Sequence, residues 1–314
     1  MSSESVEEKQ VLDESILGEI RLFAPNVDEF MSCMPELQAT FLEDEVEPEN
    51  AEGFTFAMIR PELERLLETH NSTQEYHNVP HCFRVHGDVM LVAEDFGESF
   101  SVAEQIAVVF HDIAHSGVIG RCDFTHNISQ ALRIYDSFMK PLYLSGRIAR
   151  TDWIKGGELI LGTTSFDAKR VPLTKKGMMV EAMDLHFLEP DFEIFMQESV
   201  AVLSERSDRP DSNDAWLESV MAFVAEGGYL EERIEYWRSH GLFDDGQAHY
   251  HDDWMMRVAS FRFYLAQIKK FEEDGGQEDF PQLFHRNRAN QVLCYSAEFH
   301  RKIKSEVKVI LEAD

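Results

Sequence analysis

The chain has 314 residues, of which 44% are hydrophobic and 28% are charged, a composition typical of a globular protein with a sizeable core. Its formal net charge is -29, from 58 acidic and 29 basic side chains. Such a chain repels polyanions, which argues against a nucleic-acid polymer or an anionic membrane surface as its partner. Its 4 cysteines are scattered and no apolar run is long enough to span a bilayer, so we predict a reduced, cytoplasmic protein.

The first 52 residues are rich in acidic side chains, and prolines interrupt their few apolar stretches. Because such a composition buries little apolar surface, we predict a segment that is partly disordered at first and then forms short helices. Beyond it, Pro61 is expected to lie in the first turn of a helix with the sequence PELERLLETH. The next helix is predicted over residues 81–96, where apolar side chains cover a broad face.

The following helix, SVAEQIAVVFHDIAH, has a clear start signal. Ser101 is predicted to cap it, because Glu104 stands three residues later and completes a capping box, and Gly117 is placed to end it. Apolar residues keep a helical spacing towards the C-terminus, and no convincing run alternates as a strand does, so we predict an all-α protein, a compact multi-helix bundle. Further helices are predicted over residues 127–139, 152–161, 176–188, 190–206, 215–225, 230–239, 254–273 and 289–311.

The stretch IAVVFHDIAHSG combines an apolar helix with three residues that can do chemistry. Its spacing predicts His111, Asp112 and His115 within two turns of a largely buried helix. Burying a carboxylate beside an imidazole is costly unless a partner neutralises it, and a divalent cation would do so. The alternative is a hydrogen-bonded His–Asp pair at a helix end, which is the more common explanation of an isolated His–Asp dipeptide.

Two other segments supply residues of the same chemistry. The sequence YHNVPH places His77 and His81 four residues apart at the start of a helix, with Asn78 as its predicted N-cap. In VEAMDLHFLEP, Asp184 interrupts the apolar face of a later helix. His81 and Asp184, together with the His–Asp pair, offer two imidazoles and two carboxylates, a donor set suited to zinc, iron, manganese or magnesium.

The order of these residues resembles that of the HD superfamily of metal-dependent phosphohydrolases. Within that superfamily, the motifs Y-H-N-x-x-H and H-D-x-x-H-x-G are similar to those of the 3',5'-cyclic nucleotide phosphodiesterases. Here they read YHNVPH and HDIAHSG, and the part of the chain that bears motifs runs from about His70 to Pro190. The resemblance implies an HD-type metal-binding catalytic core over residues 53–208, preceded by the acidic segment 1–52 and followed by helices over 209–314 that pack on it in the same domain.

The resemblance also implies a role for each motif residue. Two divalent ions would be bound, chosen among Mg, Mn, Zn and Fe. The ligands of the first ion would be His81, His111, Asp112 and Asp184. Asp112 would also touch the second ion, and His115 would lie near that ion and the phosphate. His77 would be the general acid that protonates the leaving alkoxide, while a hydroxide held between the ions attacks in line.

The expected reaction is hydrolysis of a phosphodiester bond in a small, cyclic nucleotide, so the expected partner is a small phosphorylated molecule. His77 favours a diester, because a general acid helps most when the leaving group is a poor one. A nucleotidase is the nearest alternative, since the same metal set cleaves monoesters, and a non-catalytic nucleotide sensor is another. Weaker candidates for substrate contacts stand where the chain departs from the family pattern, namely His126, Asn127 and Thr164.

Overall fold

In a computed structural model of the protein, the residues described are 27–41, 43, 45–116, 127–163, 174–185, 198, 201–202, 205, 213–243 and 247–273. Eleven helices have described limits and no strand occurs among these residues, so the all-α prediction is confirmed for this part of the chain. The helices are α1 (Val27–Cys33), α2 (Pro35–Thr40), α3 (Phe56–His70), α4 (Val79–Asp95), α5 (Val102–Phe110), α6 (Ser129–Leu144), α7 (Arg150–Gly162), α8 (Lys175–Asp184), α9 (Asn213–Phe223), α10 (Tyr229–Ser239) and α11 (Ala248–Glu273).

Some of the predicted features fall outside the described residues. These are the disorder of the first residues, the helix end at Gly117 and the helix over 289–311. Of the helix predicted over 190–206, residues 198, 201, 202 and 205 are described, and all of them are helical. Among the described helices, none combines the length and the apolar character that crossing a bilayer requires.

Helix α5 lies in the core because most of its side chains are apolar. Its fully buried side chains are Ala103, Ile106, Ala107, Val108, Val109 and Phe110. It contacts α3, α4, α6 and α7, and its contact with α7 is the most extensive between any two of these helices. Helix α5 is therefore held against α4, the helix that carries His81.

The start of α5 confirms the predicted capping box. Ser101 Oγ accepts the backbone N–H of Glu104 at 3.3 Å, and Glu104 Oε2 accepts the backbone N–H of Ser101 at 2.8 Å. The Glu104 carboxylate is buried and also accepts from Lys176 Nζ at 2.7 and 2.8 Å. One acidic side chain thus fixes the start of α5 and joins it to the start of α8.

The close approach of α5, α6 and α7 depends on one glycine. The Tyr135 hydroxyl of α6 lies 3.3 Å from the carbonyl oxygen of Ala103 and 3.1 Å from that of Trp153. A methyl group on Gly156 of α7 would lie 1.9 Å from that hydroxyl oxygen and 2.9 Å from the Ala103 carbonyl oxygen. Only a residue without a side chain fits at this position.

Several helix limits differ from the predicted ones. Helix α3 begins at Phe56, so Pro61 lies inside the helix rather than in its first turn. The buried stripe of Ile59, Leu63 and Leu67 starts before the proline, which explains why the helix starts earlier. Helix α11 likewise begins at Ala248, ahead of the predicted residue 254. The most consequential difference concerns α5, which ends at Phe110 and does not reach His115.

Candidate metal centre

The start of α4 places His81. The Asn78 side chain accepts the backbone N–H of His81 at 3.1 Å, and a proline occupies the first turn, so the predicted N-cap is confirmed. This cap fixes the first turn of α4 against the end of α5. The His81 side chain is 2% exposed as a result, although it belongs to the first turn of a helix.

The end of α5 places His111 and Asp112. The helix stops at Phe110 and a turn follows, in which Ala114 has a φ of 61°, the left-handed region that a residue with a side chain adopts only at a cost. The prediction that His111, Asp112 and His115 share a helix is therefore wrong. His115 lies beyond the helix end, in the turn.

A buried asparagine holds this turn. Asn71 is 3% exposed, and its Oδ1 accepts the backbone N–H of Ala114 at 2.7 Å. Its Nδ2 donates to the carbonyl oxygens of Asp112 at 2.9 Å and of His77 at 2.5 Å. One side chain therefore compensates for the strained backbone and ties the turn to the segment that contains His77.

The third segment ends in Asp184, the last residue of α8, which packs against α4. The Tyr76 hydroxyl donates to the backbone carbonyl of Asp184 at 3.3 Å. The carboxylate reaches both buried imidazoles: its Oδ1 lies 3.2 Å from His81 Nε2 and 3.3 Å from His111 Nε2. On the other side, Asp112 Oδ2 lies 3.3 Å from His81 Nε2 and 2.9 Å from His111 Nε2.

These separations match the coordination sphere of a metal ion. Two ligand atoms bound about 2.1 Å from one ion lie about 3.0 Å apart at a right angle and about 3.4 Å apart at a tetrahedral angle. The four imidazole–carboxylate distances run from 2.9 to 3.3 Å, and all four donor atoms lie within 4.8 Å of one another. The structure thus brings the four predicted ligands together in a group that can hold a metal ion.

The chemistry of His111 shows that this group requires a positive charge. Its Nδ1 donates to the carbonyl oxygen of Val108 at 2.7 Å, so Nε2 of a neutral ring would turn a lone pair towards two carboxylates. Burial lowers the pKa of His111, but the charges of Asp112 and Asp184 outweigh it and raise that pKa well above its usual value. Burial raises the pKa of Asp112, yet His111 and His77 hold it well below its usual value. A proton or a divalent cation at this point would compensate the negative charge of the two carboxylates.

A second group of donors adjoins the first. His77, Asp112 and His115 each offer a ligand atom, and these atoms also lie within 4.8 Å of one another. His77 Nε2 is 3.8 Å from Asp112 Oδ2, and the rings of His77 and His115 stack with centroids 3.8 Å apart. Burial and the neighbouring His77 lower the pKa of His115 to about 4, so His115 is neutral at physiological pH.

Glu205 also belongs to this site, although the sequence gives no indication of it. Its Oε2 lies 2.5 Å from His77 Nδ1, and its Oε1 accepts the backbone N–H groups of Tyr76 and of His77. Burial lowers the pKa of His77, but the charges of Asp112 and Glu205 raise it above the usual value. Nothing in the sequence singles out this glutamate among 58 acidic residues, because its partners lie more than a hundred positions earlier.

Of the three weaker candidates for substrate contacts, one lies among the described residues. Asn127 is buried, and its Oδ1 accepts from the backbone N–H of Ser116 at 2.9 Å and from the Ser116 hydroxyl at 2.8 Å. It therefore holds Ser116 at the end of the turn, and its contact with a substrate stays a prediction. His126 and Thr164 lie outside the described residues.

The group of four donors has a closed side and an open side. The side chains of His81 and His111 are 2% and 1% exposed, whereas those of Asp112 and Asp184 are 13% and 29% exposed. A solvent molecule or a ligand can therefore approach from the carboxylate side.

No protein-family model, curated protein or solved structure matches this chain.

Proposed function

We propose that the protein is a metal-dependent phosphohydrolase that cleaves a phosphodiester bond in a small nucleotide. The observation that carries the proposal is the spacing of four donor atoms, 2.9 to 3.3 Å between imidazole and carboxylate, at the end of a buried helix. A lone His–Asp hydrogen bond would not require a second imidazole and a second carboxylate at the same point. The order of the motifs, which resembles that of the HD superfamily, supports the same reaction.

A divalent ion in such a site polarises a phosphoryl oxygen and makes water a stronger nucleophile near neutral pH. The protein contributes the fixed geometry. His111 is oriented through Val108, and Asn71 holds the Asp112 backbone. Asp112 belongs to both donor groups, so a second ion of the expected pair would share its carboxylate. The fixed side chains need little rearrangement during the reaction.

His77 is the proposed proton donor. Glu205 binds its Nδ1, so Nε2 points towards Asp112 and the donor group. In hydrolysis, the bond between phosphorus and the oxygen of a hydroxide ion forms while the ester P–O bond breaks. The departing oxygen keeps the electron pair of that bond and takes the proton from His77 Nε2. A general acid of this kind accelerates the departure of a poor leaving group by about 10² to 10⁴.

The charge of the chain favours a small substrate. At a formal net charge of -29, the protein as a whole repels an extended polyanion. A mononucleotide carries its charge at one phosphate, which the positive centre of the site can neutralise locally. We therefore expect the substrate to be a small phosphate ester and not a nucleic-acid strand.

The proposal is tested by hydrolysis assays on protein stripped with EDTA and reloaded with Mn²⁺, Mg²⁺, Zn²⁺ or Fe²⁺. The substrates are bis-p-nitrophenyl phosphate, cyclic mononucleotides and nucleoside monophosphates. We expect metal-dependent cleavage of the diesters, its loss in Asp184→Ala, and normal cleavage in His70→Ala, which removes an exposed histidine of α3. Cleavage of the monophosphates alone would identify a nucleotidase, and no cleavage with any metal would refute the proposal.

A further inference from the structure

A buried ion pair lies one turn before Asp184, at the end of α8. Glu181 Oε2 accepts from Arg233 Nη2 at 2.5 Å and from Trp237 Nε1 at 2.7 Å, and both donors belong to α10. The side chains of Glu181 and Arg233 are 2% and 3% exposed, and Trp237 is fully buried. The pair therefore joins the last turn of α8 to a helix in the C-terminal part of the chain.

This ion pair is poorly suited to stabilise the fold. Glu181 Oε1 and the Nε and Nη1 atoms of Arg233 are also buried, and none of the three has a hydrogen-bond partner among the described residues. Replacement of such a buried pair by apolar residues commonly leaves stability unchanged or raises it, because charges lose their hydration when they are buried. What the pair does provide is direction, since two donors converge on one carboxylate oxygen and fix the Glu181 side chain.

The place of Glu181 on α8 connects this fixed side chain to Asp184. Three positions apart on a helix, the two residues are separated by about 4.5 Å along the axis and by about 60° around it. The carbonyl oxygen of Glu181 also accepts the backbone N–H of Leu185, which closes the turn that contains Asp184. The ends of helices fray, so a last turn that holds a carboxylate 3.2 and 3.3 Å from two imidazoles needs an anchor.

We propose that Glu181 is a positioning residue of the metal centre. Arg233 and Trp237 fix its side chain, and the last turn of α8 then presents Asp184 to the ion. The C-terminal helices thereby contribute to the site, since α11 packs on α10 and the rings of Trp237 and Trp254 lie with centroids 5.6 Å apart. The inference rests on the proposed function only in taking Asp184 as a ligand. Because linkage is reciprocal, an ion bound at Asp184 also stabilises the docking of α10.

The first test separates position from stability. Glu181→Leu combined with Arg233→Met removes both charges and nearly keeps the volume, so its urea midpoint should stay close to that of the wild type. Its affinity for Mn²⁺, measured by calorimetry on EDTA-treated full-length protein, should nevertheless fall about tenfold. The matched control is Glu104→Gln combined with Lys176→Met, which removes the ion pair at the start of the same helix and should keep the wild-type affinity.

The second test measures the reciprocal effect on α10. We expect saturating Mn²⁺ to slow amide hydrogen exchange in α10 of the wild type, and to leave it unchanged in the double variant of Glu181 and Arg233. A pair that contributed only stability would not produce this difference. Trp237→Phe removes one of the two donors, so it should weaken Mn²⁺ binding by a smaller factor, about threefold.

The outcomes separate this inference from the proposed function. Unchanged Mn²⁺ affinity in the double variant of Glu181 and Arg233 would overturn the inference and leave the proposed function in place, as would an equal loss in the control. Exchange in wild-type α10 that is the same with and without Mn²⁺ would also overturn it, and that measurement needs no variant to fold. Wild-type protein that binds no Mn²⁺ and cleaves no diester would instead remove the proposed function, and the inference with it.

Discussion

The two ends of α5 are equally close to the core, yet they are built in different ways. At the N-terminal end, the side chains of Ser101 and Glu104, three positions apart, each accept the backbone N–H of the other residue. At the C-terminal end, no glycine stops the helix before His111, and the turn is held by Asn71, which lies 43 positions before Ala114. One end is fixed by local sequence and the other by tertiary structure.

The two ends of α5 therefore serve different purposes: the N-terminal end stabilises the helix, and the C-terminal end contributes to the donor group. The N-terminal end uses its polar side chains to complete backbone hydrogen bonds, as a helix cap does in any protein. The C-terminal end keeps two carboxylates and two imidazoles facing one another at 2.9 to 3.3 Å, which costs stability unless a cation is present. Substitutions at the N-terminal end should therefore lower the free energy of unfolding and leave metal binding unchanged. Substitutions of the donors at the C-terminal end should instead abolish metal binding and activity.

The largest expected effect is the loss of activity in Asp112→Asn. An amide of nearly the same shape cannot supply the anionic ligand, so we expect kcat/KM to fall by at least about 10³ and bound metal to be lost. Glu104→Gln, at the other end of the same helix, is the matched control. It should keep its metal and its turnover while lowering the free energy of unfolding, because Lys176 loses a charged partner. Metal loss in Glu104→Gln would remove the distinction between the two ends.

Asn71→Ala should be the most damaging change away from the ligands. It leaves the Ala114 N–H and the carbonyls of His77 and Asp112 without their partner, so we expect a loss of about 3 kcal/mol in unfolding free energy and weaker metal binding. Asn50→Ala removes an exposed asparagine that donates to the Ser145 carbonyl, and should change stability little. Chemical denaturation and Mn²⁺ titration of both variants measure the effect. Equal metal affinity in the wild type and Asn71→Ala would show that Asn71 is not needed to hold the turn that carries Asp112.

Gly156→Ala tests the packing that supports the N-terminal half of α5. The new methyl group would collide with the Tyr135 hydroxyl at 1.9 Å, so we expect a destabilisation of about 2 to 3 kcal/mol. Gly87→Ala in α4 is the matched control, since nothing lies within 4 Å of its new methyl group, and it should stabilise the protein by about 0.5 to 1 kcal/mol. Thermal unfolding of the two variants should move in opposite directions. Unchanged or increased stability of Gly156→Ala would show that the close approach of α6 and α7 is not required.

Ser101→Ala should have the smallest effect. It removes one half of the capping box, which we expect to cost about 1 kcal/mol of unfolding free energy. Metal content and turnover should equal those of the wild type, because the start of α5 touches none of the donors. A loss of metal in this variant would mean that the two ends are coupled through the helix.

The parts of the fold that could be predicted are those with partners nearby in sequence. The capping box at Ser101 and the N-cap at Asn78 are examples, because the donor and the acceptor stand three residues apart. The all-α class followed from helical spacing. The four members of the donor group were named from residue type and motif order, and the structure brings them together.

The parts that could not be predicted have partners far away in sequence. His111 and His115 stand at helical spacing, so periodicity extends α5 past its true end at Phe110. The sequence around Asn71 and Glu205 does not predict their contacts, since each residue hydrogen-bonds with residues that only folding brings close. The helix start predicted at Pro61 was wrong because the buried stripe of this helix begins at Ile59, before the proline.

The central claim is that three segments of the chain converge on a divalent ion. Anomalous diffraction from a crystal soaked in Mn²⁺ tests it most directly, because the signal locates the ion itself. The account predicts an anomalous peak about 2.1 to 2.3 Å from the ring nitrogens of His81 and His111 and from a carboxylate oxygen of both Asp112 and Asp184. Four side chains with no peak between them, or an ion bound elsewhere while they stay bare, would contradict it.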